Sequence, residues 1–219
     1  MDVIIVGAGG HGRVVLDILR AAGGHNPVGF IDADPQLAGQ EIGGIPVLGQ
    51  ANLLPKLKSQ KVKGAIVAIG DNHARRSYAK KLAGQGFELI NAIHPRSVVS
   101  PTARLGTDLV VAAGAVVGTD AIIGSDTIIN TCAVIDHECE IGQAVHVCPS
   151  AALAGRVRVG DEAFIGLGCN IIQCLTIGAH AVIGAGAVVI RDVPDGVTVV
   201  GVPARVIPTR TGPAQPASI

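Results

Sequence analysis

AIIGSDTIINTCAVIDHECEIGQAVHV, residues 121–147, decides how this chain folds. Every sixth residue in it, at Ile123, Ile129, Ile135, Ile141 and Val147, is a β-branched aliphatic. The beat runs on in both directions without a break. Val99, Leu105, Val111 and Val117 come before, and Leu153, Val159, Ile165, Ile171, Ile177, Ile183 and Val189 follow. In eight of these sixteen hexads glycine comes next, at Gly106, Gly118, Gly124, Gly142, Gly160, Gly166, Gly178 and Gly184. A helix needs a period near 3.6 and a strand a period of 2, so a period of six is neither. It marks a solenoid of short strands and corners, with one aliphatic per hexad stacked on its equivalents. A Val/Gly-rich β-sandwich is the rival reading, but hairpin strands do not keep one register over sixteen hexads.

The whole chain, 219 residues, has room for one large domain or two small ones. Its 17 basic and 17 acidic residues balance, which argues against a general nucleic-acid or anionic-membrane binder. Hydrophobic residues make up 48% but aromatics only 2%, the composition of a narrow aliphatic core. No apolar run reaches the roughly 18 residues of a membrane span. The apolar start MDVIIVGAGG has no basic segment before it and reads as a first strand, not a signal peptide. The five cysteines, Cys132, Cys139, Cys148, Cys169 and Cys174, are odd in number and form no CxxC pair. Reduced thiols in a cytoplasm are expected, with neither a disulfide framework nor a zinc site.

Residues before the beat alternate between strand and helix patterns. Val3 to Gly7, Val28 to Asp32 and Gly64 to Gly70 read as buried parallel strands. Helices are expected over Gly12 to Ala22, Asn52 to Ser59 and His73 to Ala83. This predicts a small α/β domain over residues 1–95, a solenoid over 96–207 and a tail over 208–219. The first turn, Gly7-Ala8-Gly9-Gly10-His11-Gly12, fits Gly-x-Gly-x-x-Gly between strand and helix, and Asp32 ends the second strand. That layout lets backbone approach a phosphate at a helix N-terminus. Half a dinucleotide fold suits a single nucleotide, such as a nucleotide sugar, better than NAD. Gly70 ends the third strand on the same rim, and His11 either touches the ligand or fills the turn.

The solenoid's irregular hexads point to chemistry. After the inward aliphatics from Ile129 to Leu153 the sequence reads Asn130, Asp136, Gly142, Cys148, Ala154. Asp136-His137-Glu138 sets an imidazole between two carboxylates, the surroundings a general base near neutral pH needs. Three hexads make one coil, so His137 and His146, nine residues apart, stand half a coil from each other on different sides of one prism. Prisms packed about a three-fold axis would let His137 of one copy face His146 of the next.

These residues carry a resemblance. The hexads together with GVPARVI (201–207) resemble the hexapeptide-repeat acyltransferases, which fold as a left-handed parallel β-helix. GAGGHGRVVLDIL (7–19), FID (30–32), AIGDN (68–72), INAIHP (90–95) and INTCAVIDHECEIG (129–142) are similar to one branch of them. That branch comprises the sialic-acid O-acetyltransferases and the enzymes that acetylate the 4-amino group of UDP- or GDP-linked amino sugars. The resemblance implies a Rossmann-like domain before the β-helix, acetyl-CoA as cosubstrate, no metal, and a homotrimer with active sites between subunits. It implies His137 as general base with Glu138 holding the ring, and His146 and Asn130 at the acetyl-CoA thioester. Backbone near Gly155, Leu167 and Ala185 would meet the acyl group and pantetheine arm; Ala185 departs from the glycine often found there. Gly9, Gly10, His11, Asp32 and Gly70 would cradle the nucleotide. Asp32 and Asp34 are split by Ala33 where the family can show adjacent acids, which leaves the base of the nucleotide open. Competing readings are a sugar O-acetyltransferase, a non-catalytic nucleotide-sugar-binding protein and an NAD-binding regulator.

Overall fold

In the computed structural model, which describes residues 1–207, the sixteen aliphatics line the inside of a three-sided parallel β-helix. Each hexad gives a two-residue strand and a four-residue corner, and each strand pairs with the one eighteen residues on: Val110 with Ile128, Val116 with Val134, Ile122 with Glu140. Face 1 stacks Ala92–Ile93, Val110–Val111, Ile128–Ile129, His146–Val147, Phe164–Ile165 and Val182–Ile183. Face 2 stacks Val98–Val99, Val116–Val117, Val134–Ile135, Ala152–Leu153, Asn170–Ile171 and Val188–Val189. Face 3 stacks Arg104–Leu105, Ile122–Ile123, Glu140–Ile141, Arg158–Val159 and Thr176–Ile177. The second residue of each pair points inward, and from Val111 to Val189 all of them are buried. Val99 and Leu105, at the open end, pack on this core half-covered.

The glycines after these aliphatics are not spread evenly. Gly106, Gly124, Gly142, Gly160 and Gly178 follow face 3 and form one continuous edge, whereas only Gly118 follows face 2 and only Gly166 and Gly184 follow face 1. A methyl at Gly124 would stand 2.5 Å from the Gly142 carbonyl, so stacked backbone leaves no space for a side chain on this edge. The other two edges tolerate side chains. Those edges carry the polar residues that broke the beat.

The N-terminal residues form a six-stranded sheet in the order β3-β4-β2-β1-β5-β6, with β1 Asp2–Val6, β2 Asn26–Ile31, β3 Glu41–Ile42, β4 Ile45–Gly49, β5 Gly64–Val67 and β6 Glu88–Leu89. All its pairings are parallel except the β3–β4 hairpin. Helix α1 (Gly10–Ala22) lies between this sheet and face 1. Its Val15, Leu16, Ile18 and Leu19 share one buried cluster with Val3, Ile5 and Phe30 of the sheet and with Ala92, Val110 and Ile128 of the β-helix. Helices α2 (Leu54–Ser59) and α3 (Asn72–Gly84) cover the opposite side of the sheet. The helix expected from Asn52 begins as a 3₁₀ turn, Ala51–Leu53, because Pro55 enters the α-helical part at its first turn.

The small domain therefore covers only the lower strands of face 1. Ile128 is wholly buried beneath it, His146 is at its rim, and Phe164 and Val182 beyond it are exposed. The described chain ends in a hairpin. Gly201, at φ 93°, opens a turn, and Thr198–Val200 pairs antiparallel with Arg205–Ile207. The tail expected over 208–219 lies outside the described residues.

Candidate active site

His137 occupies the corner between faces 2 and 3, half-exposed. Asp136 Oδ1 accepts its backbone N–H at 2.7 Å, and Glu138 Oε2 is 2.9 Å from its Nδ1. With Nδ1 so engaged, Nε2 is the nitrogen open to a substrate. Glu138 takes the left-handed conformation that most corners require (φ 58°), which turns its carboxylate back on the ring beside it. Hydrogen bonds from His137 and Arg156 hold the Glu138 carboxyl below its ordinary pKa. One coil on, Gly155 lies beneath the ring; a Cβ there would stand 2.4 Å from His137 Nε2. Gly155 thus makes room for the imidazole, and the sequence reading of it as backbone near the acyl group falls at the same corner.

A second group gathers on face 1 and its edge with face 2. His146 stands outward at the rim of the small domain, with its ring centroid 6.3 Å from that of His11 and 5.4 Å, edge-on, from Phe164. Asn130 Oδ1 accepts the Thr131 N–H at 2.8 Å, so its amide nitrogen faces His146 Nε2 at 3.2 Å. A neutral His146 that accepts there carries its proton on Nδ1, which is buried beside the Gly70 backbone and meets no well-formed hydrogen bond among the described residues. Burial, then the nearby Arg75 charge, push His146 down to about 4; the same two causes push His11 down to about 4. Both rings are neutral near pH 7. Leu167 and Ala185 follow on this edge, exposed, and the Leu167 carbonyl accepts from Gly186 N–H. Among the described residues the N–H groups of Gly155, Leu167 and Ala185 donate to no protein acceptor.

The residues expected to cradle the nucleotide form the third group. Gly9 and Gly10 open α1, where a Cβ would meet nothing within 4 Å, whereas at Gly12 it would stand 2.1 Å from the Gly7 carbonyl. Gly12 is needed by packing; Gly9 and Gly10 leave open space over a helix start with no acidic first turn and no side-chain cap. Asp32 braces that turn, with Oδ2 accepting from Ala8 N–H at 2.7 Å and Oδ1 from Asp34 N–H at 2.9 Å. It also borders a pocket of about 160 Å³ with Gly7, Ala33, Ile69 and Tyr78. Gly70, likewise open, lies beside His146. His11, expected with the nucleotide, also neighbours His146, with 6.3 Å between the ring centroids.

Sequence reading missed the residue that fixes these groups to each other. Arg75 on α3 is fully buried, and its guanidinium donates to the carbonyls of Ile69, Gly70, Asp126 and Ala144 at 2.6 to 3.1 Å and to Asn72 Oδ1 at 2.8 Å. It ties the Gly70 turn to two coils of the β-helix. Burial draws it down to about 10, leaving it a cation near pH 7. A lone Arg in an Arg-Arg pair on a polar helix carries no signal of this in the sequence. Among the described residues no cluster of His, Cys, Asp and Glu has the arrangement to hold a metal, and no helix is long and apolar enough to cross a membrane.

Comparison with known proteins agrees with this layout. Residues 2–82 match the PglD N-terminal domain. GDP-perosamine N-acetyltransferase of Escherichia coli O157:H7 is 35% identical over 213 residues, covering 92% of this chain and 94% of the relative. The chain belongs to the hexapeptide-repeat sugar N-acetyltransferases. PerB from Caulobacter crescentus, solved with CoA and GDP-perosamine, superposes with a TM-score of 0.91 at 46% identity, over 95% of this chain and 98% of that one. The acetyltransferase domain of PglB from Neisseria gonorrhoeae, solved with acetyl coenzyme A, gives 0.88 at 39% identity over 94% and 98%. As a member of this family the chain is an acetyl-CoA-dependent acetyltransferase with a Rossmann-like domain ahead of the β-helix.

Proposed function

We propose that the chain transfers the acetyl group of acetyl-CoA directly to the 4-amino group of a GDP-linked amino sugar, with His137 as general base. The observation that carries this is the His137–Glu138 pair, whose Nδ1 is engaged and whose Nε2 has no hydrogen bond among the described residues, on an edge that borders the apolar face 2. The amine attacks the thioester carbon, Nε2 takes the amine proton, and the tetrahedral oxyanion collapses to release the CoA thiolate. The free N–H groups of Gly155, Leu167 and Ala185 are the donors for the oxyanion and the pantetheine arm. His146 and Asn130 line the thioester side. Gly9, Gly10, Asp32 and Gly70 hold the nucleotide, with phosphate at the start of α1, and His11 stands between the two halves. The guanine base is taken from the relatives bound to GDP-perosamine.

A homotrimer belongs to this reading. The outward residues of face 2 are Val98, Val116, Val134, Ala152, Asn170 and Val188, whereas face 3 presents Arg104, Ile122, Glu140, Arg158 and Thr176. Val98 is 64% exposed in the single chain. Face 2 is bounded by the edge with His137 on one side and the edge with Asn130, Leu167 and Ala185 on the other. Packing face 2 about a three-fold axis apposes the first edge of one copy to the second edge of the next, which completes the site. The five free thiols, three of them buried, fit a cytoplasmic enzyme.

The test is acetyl-CoA consumption with GDP- and UDP-linked 4-amino sugars and with matching 4-hydroxy sugars, alongside the solution mass by light scattering. Turnover of the GDP-linked amine by a trimer is expected. Turnover of the hydroxyl sugar alone, or full activity of a monomer, would refute the proposal.

A further inference from the structure

We infer that Arg156 is a positioning residue for the reaction: it aims Glu138 at His137 and shares with the imidazole a single carboxylate oxygen. The inference rests on the reading of His137 as the base. Glu138 Oε2 lies 2.9 Å from His137 Nδ1 and 3.0 Å from Arg156 Nε, so two donors converge on one acceptor. Their meeting is set by the fold. Arg156 follows Glu138 by one coil at the same corner, both in the left-handed conformation (φ 62° and 58°), and Arg156 N–H donates to the His137 carbonyl at 2.9 Å. Cys174 occupies the same position one coil further and flanks the guanidinium on its other side. The arginine is therefore seated in a column, with Glu138 before it and Cys174 after it.

Sharing one oxygen has a definite chemical result. Exposed ion pairs of this kind add little to stability, so the effect lies in the reaction. A carboxylate oxygen that accepts from Arg156 supports a positive charge on His137 less strongly than one left wholly to the ring. The other charged groups at this corner are Asp136, bound to the His137 backbone, and Asp120 one coil earlier. Neither meets Arg156 in a hydrogen bond or ion pair. Without Arg156 the whole of Oε2 falls to His137, the imidazolium is favoured, and the base is protonated over a wider range of acid pH. The Glu138 side chain also loses one of its two anchors.

The experiment is a pH profile of kcat and kcat/KM for the full chain with acetyl-CoA and a GDP-linked 4-amino sugar, comparing the parent with Arg156→Gln, Arg156→Lys and His137→Ala. Arg156→Gln is expected to move the acid limb up by about half to one pH unit and to lower the plateau kcat about 3- to 10-fold, with KM for acetyl-CoA within about twofold. Arg156→Lys, which keeps the charge without the planar Nε–H, places the limb between parent and Gln variant. Limbs and plateaus of both variants that coincide with the parent's, while His137→Ala is inactive, overturn the inference and leave the base in place. An active His137→Ala overturns the base assignment instead. Should the Gln variant unfold, the Lys variant decides by its limb alone.

Discussion

The two histidines nine residues apart sit in opposite surroundings. His137 stands in water at a corner, with a carboxylate on Nδ1 and a guanidinium behind that carboxylate. His146 stands at the rim of the small domain between His11, tilted, and Phe164, edge-on, and burial pushes it down to about 4. The backbone is the same repeat in both places, so the difference comes from what the neighbouring coils and domain supply. An exposed ring with a carboxylate on Nδ1 is held in one tautomer and one orientation. A buried ring without one stays neutral and offers polarity without charge. One fold thus holds an exposed, carboxylate-paired ring at a corner and a buried, neutral ring on a face.

Removing the proposed base should have the largest effect. His137→Ala is expected to lower kcat by about 100- to 10,000-fold while circular dichroism and thermal unfolding stay those of the parent. An equal loss from His146→Ala would erase the distinction. Next, Gly155→Ala puts a methyl 2.4 Å from His137 Nε2 and should displace the ring. Because the ring is half-exposed and can be pushed outward at the cost of its Glu138 contact, kcat should fall about 10-fold with little change in melting temperature. Gly124→Ala is the matched control on the closed glycine edge. Its methyl meets the Gly142 carbonyl at 2.5 Å, so stability should fall by about 1–3 kcal/mol in denaturant titration, with kcat unchanged in the fraction that remains folded.

The smallest effect concerns the buried pair. His11 and His146 both have folded values near 4, below the 6.5 of an exposed histidine. The unfolded chain therefore binds their protons first, and the stability these neutral rings contribute above pH 6.5 is lost progressively as pH falls toward 4. His11→Gln should flatten the decline of melting temperature over that range; an unchanged slope would mean that His11 does not carry it.

The β-helix was fully legible because its signal repeats sixteen times, and each inward Val, Ile or Leu is an independent vote for the same register. Counting hexads alone hid one fact. Read in steps of eighteen, the glycines fall mainly on one edge, and Asn130 and Asp136 fall on the two edges that accept side chains. Glu138 beside His137 was visible because adjacency in sequence became adjacency in space. Arg156 lay beyond that reach: it meets Glu138 only through the coil that brings residues eighteen apart together. The contact of His11 with His146 was less legible still, since 135 residues separate them and the docking of α1 on face 1 joins them. Local chemistry was readable; chemistry made by domain docking was not.

That docking has a further consequence through Arg75. One guanidinium holds the Gly70 turn to the carbonyls of Asp126 and Ala144, so the rim proposed for the nucleotide and the histidine face keep one spacing before any ligand arrives. A molecule long enough to touch both meets a gauge already set. Its binding free energy is not reduced by closing two loose bodies on each other, and a molecule of the wrong length finds no hinge that would bring the far contact within reach.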